Sequence, residues 1–178
     1  MGRRKELALC IYSHLAEMPV PGQGVAEEIG EGLLLCGELD SALSFCRDQS
    51  IRYPKSDRLA SLMAQLLQRL GKPDGEVLPY AYHAFQLRVE NAGYLVRVAQ
   101  LLTSIGRTTE ARDLISPVDM STIQCIPSLE RLRLLCDRLQ LTEQAANANA
   151  RLQQIGYELS SGYRPQSGLR SNDLGDES

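Results

Sequence analysis

Apolar residues recur along this chain at spacings of three and four, the pattern of helices that each bury one face. Leu7, Cys10, Ile11 and Leu15 form the first such run and predict a helix from Arg4 to Met18, stopped by Pro19, Pro21 and Gly22. Ala26, Ile29, Gly30 and Leu33 predict a second helix that turns at Gly37, and Leu39, Ala42, Leu43 and Cys46 predict a third. That third run stops at Tyr53-Pro54, because proline disfavours helix in the residue before it. The same alternation continues with Ala60, Met63, Ala64, Leu67 and Leu70 up to Gly71, then Val77, Ala81, Ala84 and Leu87. Leu95, Val98, Ala99, Leu102 and Ile105 lead to Gly106, and Ala111, Leu114 and Ile115 follow until Ser116-Pro117 cuts the run short. Leu129, Leu132, Leu135 and Leu139 precede Gln140, after which Ala145, Ala148 and Leu152 run on to about Leu159.

Gly37, Gly71, Gly106 and Gln140 lie 34, 35 and 34 positions apart, and Ala42, Val77, Ala111 and Ala145 lie 35, 34 and 34 apart. A period of this length means stacked helix pairs, none of which can bury its apolar face alone. The expected fold class is all-α, a right-handed α-solenoid of antiparallel helix pairs. Its domains are a leading helix at 1–22, four repeats at 23–56, 57–91, 92–125 and 126–159, and a disordered Ser-, Gly- and Asp-rich tail at 160–178. The leading helix reads as the second half of a repeat whose first half is missing or degenerate. The third repeat is the expected weak point, since Ser116 to Ile126 must bridge to Pro127 without regular packing.

The pattern resembles the tetratricopeptide repeat, a 34-residue helix pair with large and small apolar residues on the first helix and small ones on the second. The resemblance rests on Ile29-Gly30, Leu33, Gly37, Ala42 and Pro54 in the first repeat and on Met63-Ala64, Leu67, Gly71, Ala81 and Ala84 in the second. Val98-Ala99, Leu102, Gly106 and Ala111 carry it in the third, while the fourth keeps Leu132 and Ala145 but has Arg133 and Gln140 at the small and turn positions. It covers about Gln23 to Leu159. What it implies is a concave groove lined by the first helices, filled by residues not committed to packing. By repeat phase these are Glu27, Glu31 and Leu34; Arg58, Ser61, Gln65, Gln68 and Arg69; Val96, Arg97, Gln100 and Thr103; and Glu130, Leu134 and Asp137. A peptide would lie on Gln65, Arg69 and Gln100, with Leu34, Val96 and Leu134 giving apolar contact. The lysines and asparagines of the family's carboxylate clamp for chaperone tails are absent from this stripe. The first repeat carries three basic residues against six acidic ones, so that end is expected to repel an acidic tail and tolerate a basic one.

Charge and chemistry narrow the function. The chain has 19 Lys and Arg against 22 Asp and Glu, net −3, and the last three repeats are each neutral, so it lacks the basic footprint of a nucleic-acid binder. No apolar stretch is long enough to span a bilayer, and Glu6 breaks a myristoylation motif. Cys10, Cys36, Cys46, Cys125 and Cys136 include no Cys-x-x-Cys pair and read as reduced, mostly buried filler in a cytoplasmic protein. The two histidines, His14 and His83, have no partner set for catalysis, and Cys10 with His14 is two ligands short of a structural zinc site. The expectation is a non-enzymatic interaction module, an adaptor, scaffold or cytoplasmic chaperone, needing no cofactor or metal and binding a protein or peptide. The alternatives are an RNA-binding helical repeat and the non-catalytic repeat domain of a larger enzyme. Oligomeric state is left open by the sequence.

Overall fold

A computed structural model describes residues 2–17 and 22–160. Its elements in chain order are α1 (Gly2–Glu17), α2 (Gln23–Cys36), α3 (Leu39–Arg52), α4 (Asp57–Arg69), α5 (Asp74–Leu87), α6 (Ala92–Ser104), α7 (Thr108–Ile115), a 3-10 turn (Met120–Thr122), α8 (Ile126–Arg138) and α9 (Thr142–Ser160). There is no strand among the described residues. The helices pair antiparallel as α2/α3, α4/α5, α6/α7 and α8/α9, with α1 packed on α2. The tail expected beyond residue 160 and the proline stop after α1 lie outside the described residues, except Gly22.

The periodic residues are the turns themselves. Gly37, Gly71 and Gly106 have φ of 84°, 71° and 81°, and Gln140, the one residue with a side chain there, has φ 60°. At each, two backbone bonds close the end of the first helix in the same way. Glu38, Lys72, Arg107 and Leu141 donate to the carbonyls of Leu33, Leu67, Leu102 and Cys136, while Gly37, Gly71, Gly106 and Gln140 donate to Leu34, Gln68, Thr103 and Asp137. This left-handed cap satisfies carbonyls the helix would otherwise orphan. Glycine suits it because a Cβ is strained at positive φ, so Gln140 holds the fourth turn at some cost.

Small residues sit where helices approach most closely. Ala42, Ala64, Ala99 and Ala111 are fully buried, and a Cβ on Gly30 would lie 2.6 Å from Cys46 Sγ. Gly32 is the seat of the leading helix: a Cβ there would fall 2.3 Å from the Tyr12 ring. Leu9, Tyr12 and Leu15 of α1 pack on the core formed by Ala26, Ile29, Leu33, Leu34, Phe45, Leu59 and Leu66. A second, larger core continues from Ala64 through Leu102, Met120 and Leu132 to Ile155. Three of the five free thiols, Cys36, Cys46 and Cys136, are buried, whereas Cys10 and Cys125 are exposed.

The bridge after Pro117 departs from expectation. α7 does end at Ile115, but the following segment is packed instead of loose. Met120 and Ile123 are buried in the second core, and the 3-10 turn rests on α9. Asp119 caps it by accepting from Ser121 N at 2.9 Å. Gln144 Nε2 donates to Ser116 O at 2.6 Å and Arg151 Nε to Ile123 O at 3.2 Å. An irregular backbone is thus held by side chains from the next pair, which satisfies polar groups the missing helical turns leave free.

Candidate partner-binding face

The first helices α2, α4, α6 and α8 carry the stripe read as a groove, and the structure sorts it into two sets. Glu27 is only 6% exposed, Leu34 3%, Ser61 7%, Val96 2% and Thr103 8%. The expectation that these five are free of packing is corrected: adjacent elements cover them. Leu34 belongs to the first core with Leu62 and Leu66 of α4, and Val96 to the second with Leu129 and Leu132 of α8. Thr103 turns inward and donates to Ala99 O at 2.7 Å. Apolar contact from Leu34 and Val96 is therefore withdrawn.

The second set stays accessible. Glu31, Gln65, Gln100 and Leu134 hold one and the same repeat position, 34, 35 and 34 residues apart. Three of them are exposed, Gln65 is half-buried, and Leu134 is 57% exposed. Gln68, Arg69, Glu130 and Asp137 are exposed beside them, and Arg58 and Arg97 lie on the same stripe.

Hydrogen bonds between successive first helices set the electrostatics. Glu27 Oε1 accepts from Ser56 Oγ at 2.6 Å and from Gln23 Nε2 at 3.0 Å, and Ser56 also caps α4 by accepting from Leu59 N. Arg58 reaches back from α4 to Glu27 at 3.3 Å and Glu31 at 2.8 Å. Burial acts to lower the Arg58 pKa, but the hydrogen bond to Glu31 and the charges of Glu27, Glu31 and Glu28 outweigh it and hold it above its ordinary value. Arg58 thereby answers part of the first repeat's acidity on this face, while Glu28 stays exposed beside it. Arg69 donates to Leu34 O at 3.3 Å.

At the centre, Tyr94 of α6 donates to Asp57 Oδ2 at 2.8 Å, and Arg88 approaches the same oxygen at 3.4 Å. Burial first, and then the bond to Asp57 and its charge, push the Tyr94 phenol up to about 12. Further along, Arg97 Nη1 donates to Gln68 Oε1 at 2.7 Å. Its pKa is lowered, by burial first and by the charge of Arg131 second, with Tyr94 opposing. Arg131 occupies in α8 the repeat position that Arg97 holds in α6, 34 residues on. Sequence reasoning named Arg97 and passed over Arg131, although the period alone would have paired them. Ser56, Asp57 and Tyr94 were also missed, since nothing local shows that they bond across repeats.

Among the described residues no group of three or more His, Cys, Asp and Glu is placed to hold a metal ion. Burial pushes the Cys46 thiol up to about 12, and burial with the nearby Asp137 charge pushes Cys136 up to about 11, so neither supplies a thiolate near neutrality.

With the helix pairs, turns and cross-repeat contacts in view, comparison with solved structures decides the architecture. MamA from AMB-1 matches with a TM-score of 0.58 over 90% of this chain and 90% of its own, at 14% identity. The fold is tetratricopeptide-like. MamA from MSR-1 matches at a TM-score of 0.58, 12% identity, over 88% of this chain and 89% of that one. PilF of Pseudomonas aeruginosa matches at 0.58, 17% identity, over 80% of this chain and 67% of that one. No family profile and no curated protein sequence matches the chain. At these identities the likeness concerns the helical-repeat fold. Among the described residues no helix is long and apolar enough to cross a membrane.

Proposed function

We propose that this tetratricopeptide-like chain is a non-catalytic protein-interaction module, an adaptor, scaffold or chaperone that holds an extended or helical segment of a partner against its first-helix face. The observation that carries this reading is the row Glu31, Gln65, Gln100 and Leu134: one repeat position left accessible along successive helices while Leu34, Ser61, Val96 and Thr103 on the same stripe are buried. Among the described residues Gln100 has no hydrogen-bond partner, and Gln65 makes only a long 3.4 Å bond to Ser61. Amide groups in such a row offer both donors and acceptors to a peptide backbone, and Leu134 offers apolar area. Nucleic acid fits less well, because a chain of net −3 with no basic cluster on this stripe falls short of the several phosphate contacts that give useful affinity. The reading includes a reducing, cytoplasmic location, supported by the five free thiols and testable by cell fractionation.

Affinity capture from native lysate with mass spectrometry supplies the partner, and a Gln65→Ala/Gln100→Ala double variant tests the face. The variant should keep its circular dichroism and melting temperature, since exposed substitutions shift stability by only about 0.5 kcal/mol, and should bind the captured partner more weakly. Equal binding by variant and parent places the site elsewhere. The first surface to try would then be the groove of about 730 Å³ between α3 and α5, lined in part by Leu43, Arg47, Leu67, Leu70 and Tyr80.

A further inference from the structure

We propose that the groove between α3 and α5 is the interface of a two-fold dimer, in which α3 of a second copy of this chain lies antiparallel in the groove and each copy fills the groove of the other. This surface belongs to the second helices of the pairs, so the dimer leaves the first-helix face free for a client and does not depend on that face being a binding site.

The groove forms because α3 and α5 both pack on α4, whose last turns make its floor. Leu67 and Leu70 of α4 lie between Leu43 on one wall and Pro79 and Tyr80 on the other, around about 730 Å³ of space. Tyr80 is 38% exposed, and Tyr82, Leu87 and Val89 continue the apolar surface along and just past α5. The other second helices are more polar outside: among the described residues α7 exposes no large apolar side chain, and α3 exposes only Ile51. An apolar groove beside exposed aromatic rings gains by being covered. The two walls differ in what they present. α3 shows the small, exposed Ser41 and Ser44 on either side of Leu43, whereas α5 shows a proline and a tyrosine. α3 is therefore the slimmer rod, and the one that fits between the walls of a copy.

Charge selects a second copy as the occupant. The rim carries Asp40 and Glu76 against Arg47 and Lys72, all exposed and none in an ion pair among the described residues. A foreign segment of either sign would meet like charge somewhere along this rim. A second copy brings the same charges in an order that reverses onto itself. Asp40, Leu43 and Arg47 follow one another at spacings of three and four and so share a face of α3. The two charges are about 10 Å apart along the helix with Leu43 near the middle. A two-fold axis near Leu43 therefore sets Asp40 of each copy opposite Arg47 of the other and makes the pairing twice. Glu76 falls one position beyond Asp40 in repeat phase, since Ser41 and Glu76 are 35 residues apart like Ala42 and Val77. It stands level with Asp40 on the opposite wall and faces the same arginine of the second copy. Leu43 and Tyr80 are then covered between the two ion-pair sets, the arrangement of an apolar centre with a charged rim.

The test is analytical ultracentrifugation of the full chain over a range of concentrations, with circular dichroism to check that each variant folds. The parent should pass from monomer to dimer as concentration rises. Asp40→Arg and Arg47→Asp should each weaken the dimer about tenfold or more, because each puts like charges across the axis. An equimolar mixture of these two variants should dimerise again, since each copy then meets the opposite charge at both pairings. That rescue is required only if the partner is the same chain in the opposite direction. Tyr80→Glu should also weaken the dimer, whereas Gln65→Ala/Gln100→Ala on the first-helix face should leave it unchanged. A parent that stays monomeric at about 1 mM, a dimer indifferent to the α3 and Tyr80 variants, or a mixture no more associated than its components would each overturn the assignment. A monomeric parent whose captured partner is lost with Tyr80→Glu would show instead that the groove takes a foreign segment. A dimer lost with Gln65→Ala/Gln100→Ala would move the interface to the first-helix face, and so would overturn this one.

Discussion

Between α2 and α4 a guanidinium is surrounded by glutamates, whereas on α6 and α8 Arg97 and Arg131 hold equivalent repeat positions with no carboxylate partner among the described residues. Both contacts join the first helices of successive repeats, and both put charge on the same stripe. At the first, Glu27 is buried but meets Ser56, Gln23 and Arg58, so its charge is fully answered within the chain. At the second, Arg97 gives up solvent for one amide oxygen. A contact closed by its own hydrogen bonds stabilises the stack and has little left to offer a partner. A contact left open costs stability and keeps its donors available, the trade expected at binding sites.

The largest effect should come from removing the hydroxyl at the closed contact. Ser56→Ala deletes both the α4 cap and a bond to the buried Glu27 carboxylate, so it should cost about 2–4 kcal/mol in urea unfolding. Asn91→Ala removes the equivalent cap of α6, where Asn91 Oδ1 accepts from Gly93 N at 2.9 Å in an exposed setting, and should cost only about 1 kcal/mol. Equal losses would mean that the Glu27 network adds nothing.

Tyr94 links the two regions and gives a pH-dependent test. Its phenol titrates near 10 when unfolded and is raised to about 12 in the fold. The fold therefore favours the neutral phenol, so its contribution is whole below pH 10 and is lost as pH rises toward 12. The melting temperature of the parent should fall more steeply across that window than that of Tyr94→Phe; parallel curves would remove Tyr94 from the link between α4 and α6.

Smaller effects are expected at the turns. Gln140→Gly should stabilise by about 0.5–1 kcal/mol by relieving the positive φ, and Gly106→Ala should destabilise by about 1 kcal/mol for the converse reason. Thermal denaturation reads both, and opposite signs are required. Smallest of all are the arginines. Arg58→Gln should lose roughly 0.5–1 kcal/mol, since Arg58 and Glu31 are half exposed and the buried Glu27 keeps its bonds to Ser56 and Gln23, while Arg131→Gln should be neutral or slightly stabilising. A clear loss at Arg131 would show that it has an internal partner after all.

Much of this architecture was legible in the residues. Gly37, Gly71 and Gly106 announce a left-handed turn because few other residues adopt one cheaply, and the apolar residues between them repeat with helical spacing. Those are local properties, so a one-dimensional string carries them. Even Gln140, a poor turn residue, was identified by its phase. The bridge after Pro117 was harder. The break in α7 follows from proline's missing N–H, but the burial of Met120 and Ile123 depends on α9, whose Gln144 and Arg151 reach back about 28 residues.

The candidate face divides along the same line. Repeat phase alone determined which residues share the first-helix stripe, because each repeat sets the next one down in the same orientation. It could not determine which of them stay accessible. Leu34 and Val96 have the same phase-based claim to the surface as Gln65 and Leu134, and only the neighbouring helix decides that the first two are covered. Nor could it show that Arg58 is spent on Glu27 and Glu31 while Arg97 is not, since those partners lie 27 to 31 residues away and meet only when the pairs stack. Helix, turn and register came from properties each residue carries by itself; burial and charge compensation came from the packing of one repeat on the next.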